Sequence, residues 1–392
     1  MSVLKYYQKN KFNPVPIEFS GIKNIVNHYA KRQNLLENHL KIFLPFLKNK
    51  NILEFGCNGA ENACLLAEYG ANLYLVEPHK AIHKIIIDNF SKIRKKKKIK
   101  LLSNKELENF SSKKKFDIII AEGFLNTLNK RNLYFKKISD YLTEGGLLIL
   151  NYDDVYGGFF EYLKSYILIK SCFKLKINPD SKEGYKLAKK LFKKEFDKLN
   201  KSRSFRSWWK DQLINPYAAK TWSFHDLLKL ANSKKLICYS TSPVFNDTNL
   251  HEWYKNINLK SFYYKDINQK YYKIWKKNFL NFFIGKKINN NFEIDEKTLI
   301  SLKKFTNKIN LCLINKNLRQ NLKVNKEIKI LFKKNNLEEY IFEIDRLIKL
   351  LNSKKQNIDS VVNLYLKSKK VKTTWGNLLH YVVFKKDFKI NR

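Results

Sequence analysis

The sequence predicts a doubly wound, mainly parallel α/β sheet, and three observations carry that expectation. Short apolar runs alternate with amphipathic helical stretches between Asn51 and Asn151. Eight of the twelve glycines fall between Gly56 and Gly158, a segment where tight strand–helix turns need positive φ or close backbone approach. The run Phe116–Ala121 (FDIIIA) is almost continuously apolar, as a strand covered on both faces should be.

The elements follow in order. Residues Phe19–Leu47 read as one or two helices capping the sheet. Asn51–Phe55 (NILEF) is a first strand, and Ala60–Tyr69 has helical spacing with Gly70 as its C-cap. Asn72–Val76 (NLYLV) is a second strand, stopped by Pro78 and followed by an amphipathic helix over His79–Ile93. Ile99–Ser103 and Phe116–Ala121 give the third and fourth strands. Leu128–Leu142 is helical and closes with the turn Thr143-Glu144-Gly145-Gly146 before a fifth strand, Leu147–Asn151. Phe159–Leu199 is Lys-rich and helical. Ser223–Asn232 is a helix with Ser223 as N-cap, Leu236–Ser242 a strand, Glu293–Lys370 mostly helical and His380–Lys385 a final strand. Asn289-Asn290-Asn291 reads as a loop, and there is no internal repeat. The expected organisation is a helical cap (1–48), a core (49–154, completed by 221–246 and 379–386), a helical insertion (155–220) and a mainly helical region (247–378).

Composition narrows the class. Hydrophobic residues make up 44% of the 392, enough for an ordinary globular core. The first twenty residues carry no apolar h-region, and no stretch approaches the ~18 uncharged apolar residues of a spanning helix. The five cysteines lack metal-type spacing and are odd in number, which fits reduced thiols and a cytoplasmic setting. The seven histidines show no metal-ligand spacing either, so no metal is expected.

The net charge of +42 has two readings, a nucleic-acid or anionic-membrane partner or compositional drift. Only eight of the 77 basic residues are Arg, whereas a phosphate-binding surface favours the planar guanidinium fork. The lysines also spread along the whole chain. Drift is favoured, with the run Arg94–Lys98 as the solvated end of a helix.

Chemistry concentrates in ILEFGCNGAENACLLAEYGANLYLVEPH, Ile52–His79. A strand ends at Glu54 and Phe55, the turn Gly56-Cys57-Asn58-Gly59 enters a helix, and a second strand ends about twenty residues later at Glu77. Such a turn brings backbone N–H groups close to a nucleoside-containing cofactor, and an acid at the second strand tip accepts ribose hydroxyls. A glycine turn alone does not separate cofactors. Glu54, two positions before the first glycine, would repel a pyrophosphate but suits the cationic methionine end of S-adenosylmethionine. The expected cofactor residues are Glu54, Gly56, Cys57, Asn58, Gly59, Glu77, Pro78 and Glu122.

This block resembles motif I and the following acidic strand of class I S-adenosylmethionine-dependent methyltransferases. FDIIIAEGFLNTL (116–128) is similar to their fourth-strand motif, and YLTEGGLLIL (141–150) to the glycine turn before their fifth strand. The resemblance implies a seven-strand-type sheet, S-adenosylmethionine as cofactor and methyl transfer as activity. It departs from E-x-G-x-G-x-G at Asn58 and Ala60. Asn tolerates left-handed φ, and Ala at the third position is a packing substitute.

The acceptor is less constrained. The Asp/Asn-Pro-Pro-aromatic signature of amino-methylating DNA enzymes is absent after the fourth strand, where Ala121-Glu122-Gly123-Phe124 stands, and so is a Pro-Cys nucleophile. RNA stays open. Trp208-Trp209 through Pro216, Thr221-Trp222, Ser240–Phe245, Trp253-Tyr254-Lys255, Trp375-Gly376 and His380-Tyr381 resemble bacterial methyltransferases of surface-glycan or secondary-metabolite gene clusters. That resemblance implies a small-molecule or sugar-like acceptor; the aromatics read either as sugar-stacking platforms or as core. A hydroxyl acceptor needs a general base. Glu122 after strand four, Asp153 and Asp154 after strand five, and His225 are the candidates.

Overall fold

A computed structural model describes residues 3–10, 22–92, 99–199, 203–218, 220–245, 263–288, 292–314, 322–353 and 358–387. The Arg94–Lys98 run, Asn289–Asn291 and Trp253-Tyr254-Lys255 lie outside the described residues. The chain divides into two compact units. The first comprises residues 1–152, 224–275 and 380–392; the second comprises 153–223 and 276–379. Residues 1–48 cluster with the core, 155–220 fall in the second unit, and 247–378 is divided, 247–275 lying in the first unit and 276–378 in the second.

A seven-stranded sheet has the order β3-β2-β1-β4-β5-β7-β6. Its strands are β1 (Asn51–Phe55), β2 (Asn72–Val76), β3 (Leu101–Ser103), β4 (Phe116–Ala121), β5 (Leu142–Asp153), β6 (Leu236–Ser242) and β7 (Leu379–Lys386). β1 pairs in parallel with β2 and β4, β2 with β3, and β4 with β5. β6 and β7 pair antiparallel. The apolar runs explain the middle of the sheet: Ile52, Leu53, Phe55, Ile119, Ile120 and Ala121 are all essentially buried, as strands covered on both faces require. Strand order reverses between β1 and β4, the place where open α/β sheets form a crevice at the carboxyl ends of their strands.

Helices Ile22–Gln33, Glu61–Glu68, His83–Ser91, Arg131–Asp140 and Phe224–Ser233 belong to this unit. The stretch expected as one helix from His79 begins instead as a short tight turn, Lys80–Ile82, because Pro78 and the Glu77–His79 bonding delay it. The expected Thr143–Gly146 turn is a correction. These residues are part of β5, whose register against β4 jumps from Leu142 to Leu147 while β4 advances only from Phe116 to Ile118. Gly145, at φ 72°, lets the strand bulge without leaving the sheet.

The second unit is helical. Its longer helices are Phe159–Lys174, Lys182–Asp197, Glu296–Ile314 and Glu338–Asn352. Phe192, Phe196, Trp208 and Trp375 pack edge-to-face and tilted at its centre, with centroids 5.0 to 6.3 Å apart. Lys164 is fully buried there, its Nζ donating to the Val371 and Thr374 carbonyls and lying 4.5 Å from the Trp375 ring centroid.

Candidate cofactor and active site

The crevice is built from the ends of β1, β2 and β4 together with helix Ile22–Gln33. Glu54 sits in β1, one residue before the strand's end, and is 3% exposed. Its Oε2 has no hydrogen-bond partner among the described residues. Burial, then the neighbouring Glu122 charge, pushes its carboxyl up to about 8, against the opposing pull of Arg32.

The turn after β1 is held from several sides. Gly56 has φ 66°, and a Cβ there would come within 2.9 Å of the Phe124 ring. Its N–H donates to the Val76 carbonyl at the end of β2. Asn58 (φ 51°) and Ala60 (φ 60°) are both left-handed. The Ala60 finding differs from the expectation that it serves helix packing. Ala60 is the residue that turns the chain into helix Glu61–Glu68, a conformation disfavoured for a residue with a Cβ. Buried Asn89 reaches across from helix His83–Ser91 and donates to the Gly59 carbonyl at 2.8 Å. Burial, followed by Glu54 and Glu77, drives the Cys57 thiol well above its ordinary value, so Cys57 serves as a neutral packing group.

Glu77 follows β2 and is 6% exposed. Its Oε2 accepts the Asn58 N–H and its Oε1 the His79 N–H, each at 2.9 Å. These bonds lock the carboxylate to the glycine turn. Burial raises its pKa and the two N–H donors oppose the rise. Pro78, half-buried, lies between these two anchored residues.

Glu122 follows β4. Both of its oxygens are gripped by Arg32, at 2.8 and 3.0 Å. Asn62 Nδ2 and Tyr381 OH donate to Oε2, each at 3.4 Å. Burial opposes the Arg32 charge, yet Glu122, Tyr381 and Glu54 together hold its pKa above the ordinary value. Burial and then Glu122 push Tyr381 up to about 12. The Gly123 N–H donates to Asn151 of β5.

The structure thus brings Glu54, Gly56, Cys57, Asn58, Gly59, Glu77, Pro78 and Glu122 into the first unit. Asp153 is the last residue of β5 and belongs to the second unit, its carbonyl accepting the Trp222 N–H. Asp154 is fully buried, its Oδ1 accepting the N–H groups of Tyr156 and Gly157, which makes it a turn-capping carboxylate. His225 stacks on Tyr272 at 4.5 Å and 24°. The sugar-stacking reading of the tryptophans is corrected: Trp208, Trp209, Trp222 and Trp375 are between 0 and 6% exposed and form core. Three site residues escaped the sequence, Arg32, Asn62 and Asn89, and Tyr381 figured there only within the His380-Tyr381 pair of the glycan-cluster resemblance. Arg32 alone left a signal, as one of eight arginines among 77 basic residues.

Charge decides what the crevice suits. Glu54 feels the carboxyl groups of Glu122, Glu61 and Glu77 against the Arg32 guanidinium, which itself pairs with Glu122. Burial raises Glu61 to about 7. A cluster of buried carboxyl groups disfavours a pyrophosphate and suits a ligand that carries positive charge beside a ribose.

Strand order, glycine turn and paired acids define the class I, S-adenosylmethionine-dependent methyltransferase fold. The chain belongs to the methyltransferase domain family, whose model matches residues 26–223. No curated protein matches the chain. Among solved structures it is similar to an S-adenosylmethionine-dependent methyltransferase from Clostridium acetobutylicum, at 18% identity over 40% of this chain and 58% of that one, TM-score 0.27. It is similar to PKMT2 from Rickettsia typhi, solved with AdoHcy, at 18% identity over 55% and 43%, TM-score 0.37. It is also similar to the N-methyltransferase NodS from Bradyrhizobium japonicum, at 15% identity over 38% and 72%, TM-score 0.30. Several solved relatives are matched over about half of their own length, 44%, 57% and 58% in three cases. No described helix is long and apolar enough to cross a membrane. No group of His, Cys, Asp or Glu suited to a metal occurs among the described residues.

Proposed function

We propose that the chain transfers a methyl group from S-adenosylmethionine to an oxygen or nitrogen of a small-molecule or sugar-like acceptor. The observation that carries the cofactor part is the buried Glu54 carboxylate with an unpartnered Oε2. A buried acid without a partner is costly unless a ligand supplies one, and the methionyl ammonium is such a partner. Glu77, fixed by two backbone N–H groups, keeps lone pairs for the ribose hydroxyls. Gly56, Cys57, Asn58 and Gly59 shape the wall between them, with Pro78 beside Glu77.

S-adenosylmethionine supplies an electrophilic methyl group on a sulfonium. The protein's part is to align the acceptor in line, exclude water and, for a hydroxyl, take a proton. A neutral amine needs no base in the displacement. Glu122 is occupied by Arg32, so its role in this reading is to fix that guanidinium at the crevice. His225 and Asp153 stay the candidate bases for a hydroxyl acceptor. The acceptor class rests on the sequence resemblance to glycan- and metabolite-cluster enzymes, since the buried tryptophans lend it no open stacking surface.

Calorimetric titration with S-adenosylmethionine tests the cofactor assignment. Saturable one-to-one binding is expected, and its absence overturns the reading. Methyl transfer from labelled cofactor to pools of small molecules, sugars and RNA then tests the acceptor. Labelling of RNA alone would replace the small-molecule reading.

A further inference from the structure

Glu54 carries more than contact, an inference that rests on the cofactor assignment above. The described groups that act on it most strongly lie on four elements, and His28, one turn before Arg32, borders Arg32, Asn62 and Glu61. Glu122 stands at the end of β4, Arg32 on helix Ile22–Gln33, Glu61 at the start of helix Glu61–Glu68 and Glu77 at the end of β2. Cys57 lies in the turn, Cys64 on the helix that follows, and Tyr381 of β7 borders the Arg32–Glu122 pair. Arg32 is committed to both oxygens of Glu122. The turn's N–H donor from Asn58 is committed to Glu77. No described donor reaches Glu54 Oε2. Among the described residues, the cation that acts on Glu54 is thus already bonded to Glu122, and Glu54 Oε2 is left without a hydrogen bond.

We propose that Glu54 makes the site select its cofactor by charge: the ligand-free crevice keeps a proton on Glu54, and a cationic ligand displaces that proton to solvent. The exchange balances. The Glu54 carboxylic acid gives up one proton, and the ligand's positive charge takes its place beside the carboxylate. A carboxyl poised at about 8 is protonated in the ligand-free site near neutrality, and a buried cation next to it lowers that value. Affinity for a cationic cofactor then rises with pH and levels off near 8. A neutral analogue lacking both the amino group and the sulfonium charge gains nothing from the exchange.

Calorimetry of the full chain with S-adenosylmethionine at pH 6.5, in two buffers of different ionisation enthalpy, reads the proton directly. At that pH a free α-amino group, with an ordinary value of ~7.7–8.0, keeps its own proton. Release of ~0.8–1 proton per cofactor is expected, with Kd falling about tenfold per pH unit between pH ~6 and ~7.5. Glu54→Gln should bind more weakly and release none. Binding with no proton exchange and a flat Kd overturns the proposal and leaves the cofactor assignment standing. Undiminished release by Glu54→Gln also overturns it, since the proton then resides elsewhere. No binding by the unmodified protein overturns the cofactor assignment itself. If Glu54→Gln does not fold, the buffer and pH measurements on the unmodified protein still decide.

Discussion

The Arg32 guanidinium grips both carboxylate oxygens of Glu122 across ninety residues of sequence, at 2.8 and 3.0 Å. Their side chains are only 8% and 11% exposed. This pair ties helix Ile22–Gln33 to the carboxyl end of β4. Arg32→Ala leaves a largely buried carboxylate without its cation, at a cost of roughly 3–5 kcal/mol. Urea unfolding measures it. A loss under ~0.5 kcal/mol would mean that the pair does not hold the helix. Arg32→Lys should recover only part of the loss, because an ammonium cannot bond both oxygens in one plane.

Glu77 accepts from the turn and, in the proposed cofactor reading, receives the ribose. Glu77→Ala should weaken S-adenosylmethionine binding at least ~10-fold, equivalent to ~1.4 kcal/mol, in a calorimetric titration. An unchanged Kd removes the ribose assignment.

Gly56 combines φ 66° with the Phe124 ring 2.9 Å from where a Cβ would stand. Gly56→Val adds a branched side chain in a left-handed conformation and in occupied space. Cofactor binding should be lost while circular dichroism still reports a folded protein. Normal affinity would place the cofactor elsewhere.

The ligand-free protein should lose stability as pH rises from ~5 to ~8. The sign follows from proton counting. Glu54 keeps its proton in the fold up to about 8, whereas in the unfolded chain it releases it near the ordinary glutamate value of 4.5. The folded state binds more protons across that window, so stability falls with pH there and levels off above it. Glu61, raised to about 7, adds in the same direction. Thermal melts at pH 5.5 and pH 8 read the difference, and Glu54→Gln should reduce it. Equal pH dependence in the variant would assign the effect to other groups.

Much of the core was legible from residue order alone. NILEF, NLYLV and FDIIIA lie in β1, β2 and β4 at the expected bounds, because a strand covered on both faces has little choice but to be apolar throughout. The glycine turn and the two acids were legible for a similar reason: short-range backbone geometry limits which residues stand there. Asp154 and the tryptophans were ambiguous, since the same residue types serve capping, core or ligand. Burial settled that they cap and pack.

The sequence by itself determined the alternating β/α order, the turn at Gly56–Gly59 and the acids Glu54 and Glu77 that flank it. These depend on local φ, hydrophobic period and spacing along one chain. Only the tertiary structure decided that Arg32 from the N-terminal helix meets Glu122, that Asn89 holds Gly59 and that Tyr381 from the last strand joins them. Those partners lie 90, 30 and 259 residues apart. No periodicity encodes such distances, because these polar groups meet only once the sheet has assembled, and their pairing then offsets the cost of burying them.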